Sequence, residues 1–350
     1  MKDRLRILHV IHSDAFAGVE QFVRRLAIAQ AGDHDVRVIG GDPALMAPPL
    51  EAAGVRFHRS GNLVQTVRTV RAAASTVDVV NTHMTDSDIA ASIALLGPRL
   101  APALVATRHF SRRRGSTGPG APYRLVERRI DAEIAISEAV AASIAVPSTV
   151  VYPGVEPLPA RPDSAGEHVV LVAQRLQPEK HSDVGLRAFA RSGLAGSGWT
   201  LEVAGDGTER GALEMLAHRL GIAPHVRFLG FRADVPSLMG RAGMLLATSP
   251  FEHFGLTVLE AMAAALPVVA TASGGHGEML AGVEGSALFP PDDVDSAARL
   301  LRALADDSSA RRALGSAQRD RQQAAFTLRA QAEGTEGVYW STIAARDGRR

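Results

Sequence analysis

The densest chemistry in the chain lies in SPFEHFGLTVLEAMAAALPVVAT, residues 249–271, where Glu252 and Glu260 stand eight positions apart. A helix is expected to open near Phe254-Gly255, with Glu252 just ahead of it and Glu260 one to two turns inside. The first amides of a helix have no partner within it, so the backbone around His253, Phe254, Gly255 and Leu256 would offer donors to a diphosphate. Glu252 beside that site could accept from sugar hydroxyls, and Glu260 could reach a ribose diol. The competing reading is an acid at the positive end of a helix, favoured by the macrodipole, plus an incidental second acid. The context favours the first: a strand ending in Ala247-Thr248-Ser249-Pro250, then Gly255, then an apolar run into Pro267.

Three further places carry side chains of use. In LVAQRLQPEKHSDVGLRAFA, residues 171–190, Arg175 and Lys180 sit just past an expected strand. A guanidinium and an ammonium there could neutralise a leaving diphosphate, although isolated cations are usually solvated surface charges. In SDAFAGVEQFVRRLA, residues 13–27, Gly18 would let the backbone approach a phosphate or sugar, with Glu20 opening a helix. His83 ends the strand in DVVNTHMTDSD, a position more often structural than functional. Finally, residues 107–129 hold seven arginines and one acid, Glu127. Arg108, His109, Arg112 and Arg113 are the candidates for a basic patch that meets anionic lipid headgroups or phosphorylated acceptors, against the alternative of a solvated loop.

The elements that must position these residues follow from the hydrophobic rhythm. Short runs rich in Val, Ile and Leu alternate with amphipathic stretches of helical period, the pattern of parallel strands with crossover helices. Strands are expected from Leu5 to Ile11 through Thr149 to Tyr152 in the first half, with helices such as 20–30, 63–75 and 88–95 between them. Tyr152-Pro153-Gly154-Val155 breaks the rhythm, and EPLPARPDSAG follows as the best linker. The second half restarts the alternation at His168–Ala173. Two α/β domains are therefore expected, 1–155 and 156–326, followed by a helix and polar tail over 327–350. In such sheets ligands sit at the carboxyl ends of the strands, and most of the unusual residues fall in those loops.

Composition removes several classes. At 350 residues the chain exceeds one usual core, and 46% hydrophobic with 21% charged residues is globular. A formal net charge of +1 gives no pull towards nucleic acid, and the absence of cysteine excludes thiolate chemistry and fits a reducing compartment. The apolar start, Ile7 to Ile11, is interrupted by His9 and too short for a signal-peptide core, so a cytoplasmic protein is expected. Gly205-x-Gly207-x-x-x-Gly211 imitates a dinucleotide fingerprint, yet Phe228-Leu229-Gly230 stands where the ribose-binding acid would be, so nicotinamide is not expected. No HExxH or HxE spacing predicts a metal, no GxSxG a nucleophile, and no cofactor is expected.

With those residues in view, segment 249–271 resembles glycosyltransferase family 4, the retaining GT-B enzymes, whose pattern S-x-x-E-x-F-G-x-x-x-x-E-A-M-A-x-G-x-P-V-V-A-T it matches except at Ala265, where a Gly is usual. Residues 174–181 are similar to G-R-L-x-x-E-K-G, with Gln174 and His181 in place of the two glycines. Ala17-Gly18-Val19-Glu20 lacks the first Gly of Gly-Gly-x-Glu. The resemblance implies a GT-B fold, two Rossmann-like domains facing a cleft, the second binding the donor and the last helix returning to the first. It implies Arg175, Lys180, Gly18, Gly205 and the 253–256 amides on the donor, Glu252 on its sugar, Glu260 on its ribose and His83 near the anomeric carbon. The implied reaction moves a hexosyl group from a UDP- or GDP-sugar to a hydroxyl acceptor, a glycolipid or polysaccharide intermediate, without a metal and with retention. Peripheral contact with the inner face of a membrane through 108–129 is part of that picture. A sugar-nucleotide epimerase, a phosphorylase-like enzyme and a nucleotide-sugar-binding protein without turnover are the alternatives.

Overall fold

The structure is a computed structural model, which describes residues 4–97, 101–111, 123–144, 146–158 and 168–348. The chain divides into two compact units, Met1–Gly154 with Leu328–Arg350, and Val155–Thr327.

The first unit carries seven strands: β1 Arg6–Ile11, β2 Asp35–Ile39, β3 Arg56–His58, β4 Val79–His83, β5 Ala103–Arg108, β6 Ala132–Ala135 and β7 Thr149–Val150. They pair in parallel in the order β3-β2-β1-β4-β5-β6-β7. β1, β4 and β5 are almost wholly buried, which is why they read as near-continuous apolar runs: helices cover both faces of a parallel sheet. The order reverses between β1 and β4. Gly18 opens the helix that follows the first of these, and His83 ends the second.

The long C-terminal helix, Leu328–Asp347, packs on this same unit, against Gly18–Gln30 and the strands β5 and β6. Polar anchors fix it: Gln331 Oε1 accepts the Gly154 amide at 2.7 Å, and the buried Tyr339 hydroxyl donates to Asn81 Oδ1 at 2.9 Å. At its far end Arg346 donates to Asp131 and to the Pro102 carbonyl.

The second unit has six strands: β8 Val169–Ala173, β9 Thr200–Ala204, β10 Val226–Gly230, β11 Met244–Ala247, β12 Val268–Thr271 and β13 Ala287–Phe289, in the order β10-β9-β8-β11-β12-β13. Its core joins Val170, Val172, Leu201 and Leu246 to Phe189 and Leu301 from the helices and to Trp199 just ahead of β9. Here the reversal falls between β8 and β11. The loops after those two strands hold the residues 174–181 and 248–255.

One helix departs from expectation. Pro43–Ala52 is helical although Pro48 and Pro49 lie inside it. Asp42 caps it by accepting the Ala44 amide at 2.8 Å, and burial of Met46 and Leu50 outweighs the hydrogen bonds that proline removes. No helix among the described residues is long and apolar enough to cross a membrane.

Candidate active site

The two strands that flank the reversal in the second unit bring Lys180 and Glu252 together. Lys180 Nζ lies 2.5 Å from Glu252 Oε2, and both side chains are only 17% exposed. A short helical turn, Pro178–Lys180, carries the lysine out of β8. Its carbonyl is then fastened from two sides: the Gln174 amide donates at 3.1 Å and Thr248 Oγ1 at 3.0 Å.

The Glu252 loop is built by close backbone packing. The Gly275 amide donates to the Glu252 carbonyl at 2.8 Å, and a β-carbon on Gly275 would stand 2.2 Å from the Phe254 carbonyl oxygen. Only a residue without a side chain permits that approach. Ser273 Oγ holds the Pro250 carbonyl at 2.6 Å, and Thr271 Oγ1 holds that of Ser249 at 2.6 Å. Beyond this loop the helix Leu256–Ala263 begins at Gly255, with no side chain capping its first amides. These amides and the helix dipole make its start electropositive.

Charge in the site follows from burial and neighbours. Burial pushes the Glu252 carboxyl up, but the Lys180 ammonium, with His276 and His253, more than offsets this, and the group ends below its ordinary value. Glu252 is therefore an ionised acceptor near neutral pH. His276 lies buried behind it, with Nδ1 3.1 Å from Thr271 Oγ1. Burial lowers it to about 4, against the attraction of Glu252, so it is neutral.

The other expected residues divide. Glu260 is half-buried in the second turn of the same helix. Phe254 is buried against Phe326, so it offers its backbone and not its ring. Arg175 points to solvent, 68% exposed and paired with Glu179 at 3.3 Å, while Lys180 turns inward. Gly205 pairs with Gly230 through its amide at 2.8 Å, and a β-carbon on it would meet the Gln174 carbonyl at 1.9 Å, so close packing alone accounts for it.

In the first unit His83 is buried at the end of β4. Its ring is fully buried, with Nε2 3.1 Å from His9 Nδ1 and Nδ1 3.0 Å from His109 Nε2. His9 reaches on to Gln30 Oε1 at 2.9 Å. Burial lowers all three imidazoles, His9 to about 4 and His109 to about 3, so a neutral, hydrogen-bonded row replaces a lone histidine. Arg108 also departs from an acceptor-facing role: it is buried between Asp88 at 2.5 Å and Glu133 at 2.9 Å. A buried guanidinium with two carboxylates holds β5 to its neighbours. Gly18 opens its helix with Glu20 folded back onto the Ala17 amide at 2.9 Å. Arg112 and Arg113 lie outside the described residues.

Sequence reasoning passed over His276, Thr248 and the partners of His83. Only His276 left a trace, in SGGHGEM beside the Gly-Gly pair; a row of histidines drawn from β1, β4 and the loop after β5 has no sequence spacing to reveal it.

Residues 159–321, a little under half of the chain, match the family model described as "Glycosyl transferases group 1". An exopolysaccharide phosphotransferase of Streptomyces coelicolor is 30% identical over 292 residues, 80% of this chain and 30% of that protein. A glycogen synthase of Mycobacterium tuberculosis is 31% identical over 208 residues, 58% of this chain and 50% of the synthase. The chain thus spans half or less of the length of each. Among solved structures, Anabaena HepE in complex with UDP and glucose superposes with a TM-score of 0.81 at 21% identity, over 97% of this chain and 100% of that one. The fold is that of the GT-B glycosyltransferases.

Proposed function

We propose that this chain, whose segment 159–321 carries the group 1 glycosyltransferase match, transfers a hexosyl group from a nucleoside diphosphate sugar to a hydroxyl acceptor. The observation that carries the reading is the Lys180–Glu252 pair, set between β8 and β11 and beside the uncapped start of Leu256–Ala263. Parallel sheets bind ligands at such reversals, and a helix start favours phosphate.

The chemistry follows from charge. As the bond from the anomeric carbon to phosphate breaks, negative charge grows on the diphosphate and positive charge on the ring. Lys180 and the amides of Leu256 and Thr257 meet the first, fixed in place before the reaction. Glu252, ionised and next in line, accepts from sugar hydroxyls, and Glu260 from the ribose. Arg175, exposed and paired with Glu179, is assigned to the phosphates as a second cation. Because the protein supplies these cations itself, the reading includes no metal. It also includes retention, the acceptor hydroxyl entering on the face the phosphate leaves. In the first unit, residues 109–129 are assigned to the acceptor side, and His83, hydrogen-bonded to His109, to the neighbourhood of the anomeric carbon. The exposed Ile93, Leu96 and Leu125 nearby support peripheral contact with a lipid-borne acceptor.

A thermal-shift panel of UDP, GDP, ADP and TDP sugars tests the reading, since a ligand that binds only the folded state raises its melting temperature. One nucleotide class should raise it by several degrees at millimolar concentration, and Lys180→Ala should abolish the rise. A flat response to the whole panel would refute the donor assignment.

A further inference from the structure

Gln174 and His181, the two residues that stand where the resembled pattern has glycine, both bond to what surrounds Lys180. The Gln174 side-chain amide lies within 3.2 Å of the Lys180 carbonyl, Ser182 Oγ and Thr248 Oγ1. His181, next along the chain, has φ +45° and ψ +46°, in the left-handed region that disfavours side chains. Its Nδ1 meets Asp292 Oδ1 at 2.6 Å, and Asp292 is itself left-handed, with φ +64°.

Two strained residues facing each other need an explanation that stability does not give. His181 is 36% and Asp292 59% exposed, and pairs so placed contribute little to folding. What the pair does is join the Lys180 turn to the loop between β13 and the helix Val294–Asp306. With Gln174 and Thr248 gripping the carbonyl on one side and Asp292 gripping the next residue on the other, the backbone that carries the ammonium is tethered at two consecutive residues.

We infer that Gln174, Thr248 and the His181–Asp292 pair form a clamp that presets Lys180 for the donor diphosphate. His181 and Asp292 are positioning residues that act through the lysine. A glycine at 181 would reach the same φ without strain but would leave the turn to be ordered on binding. The clamp moves that ordering cost into folding, so nucleotide binds to a turn already in place. The inference rests on the donor reading given above, although the order of the turn is measurable without any nucleotide.

The test uses the full chain with His181→Gly, Asp292→Gly, the double variant and His181→Asn. Glycine is at home at positive φ and Asn tolerates it, so all four should melt within a few degrees of the wild type. Hydrogen exchange over 177–184 should rise several-fold in the glycine variants. The dissociation constant for UDP or GDP should weaken by roughly 5- to 30-fold, the scale of ordering one or two residues. The double variant should be no worse than either single one, as expected of one device. His181→Asn, which can still bond Asp292, should recover most of both losses. Unchanged exchange, or raised exchange with unchanged nucleotide affinity, would overturn the clamp. Should the wild type bind neither nucleotide, the donor reading fails, and the exchange measurement still decides whether the pair orders the turn.

Discussion

Lys180 and Glu252 are half-sunk, and that depth governs how they behave. Wholly buried partners separate only at a cost of several kcal/mol, whereas solvated ones hold each other weakly. At 17% exposure each, the lysine can trade its carboxylate for a phosphate while Glu252 stays ionised. Neighbouring residues were legible to different degrees. Glu252, Lys180 and the 253–256 backbone stand out from residue type and loop position alone. Arg108 and His83 do not, because their carboxylate and imidazole partners come from elements distant in sequence. Ala265, which departs from the resembled pattern, has φ +53°, with the Gly315 helix face packed against its carbonyl. Ala265→Gly should relieve that strain and stabilise the protein by about 0.5–1 kcal/mol in urea denaturation, after the flexibility glycine adds to the unfolded chain. A destabilised variant would contradict this.

At the scale of elements, the strands were the readable part. β8, β11 and β12 are buried throughout and almost wholly apolar because helices cover both faces, and each starts and ends within two residues of where its run does. Helices without a clean period were harder. Pro43–Ala52 hides behind two prolines, and Gly274–Leu280 behind its glycines, which weaken a helical pattern. The Gly-Gly pair is visible in the sequence, yet its partner is not: the Phe254 carbonyl lies twenty-one residues earlier, across a strand and a helix. What a backbone packs against is a tertiary fact, and composition carries no trace of it.

At the scale of the molecule, buried histidines set the acid limit. His9 and His276 are lowered to about 4 and His109 to about 3, from 6.5, because burial penalises the charged ring. Between 6.5 and those values the unfolded chain binds protons that the folded one refuses, so stability falls as pH drops through that window. Three such rings sit in the first unit, counting His83, and one in the second. Acidification from pH 7 to pH 4.5 should therefore weaken the first unit more. Trp340 lies in the first unit and Trp199 in the second, so urea unfolding of Trp199→Phe and Trp340→Phe reads each separately. Equal losses in the two, or none, would speak against the histidine row as the sensitive element.

The account depends most on where a nucleoside diphosphate lodges, and a crystal structure of the chain soaked with UDP or GDP answers that directly. The pyrophosphate is expected within hydrogen-bond reach of Lys180 Nζ and the amides of Leu256 and Thr257, with the ribose towards Glu260. Well-ordered nucleotide bound elsewhere, with Lys180 still paired to Glu252, would contradict it.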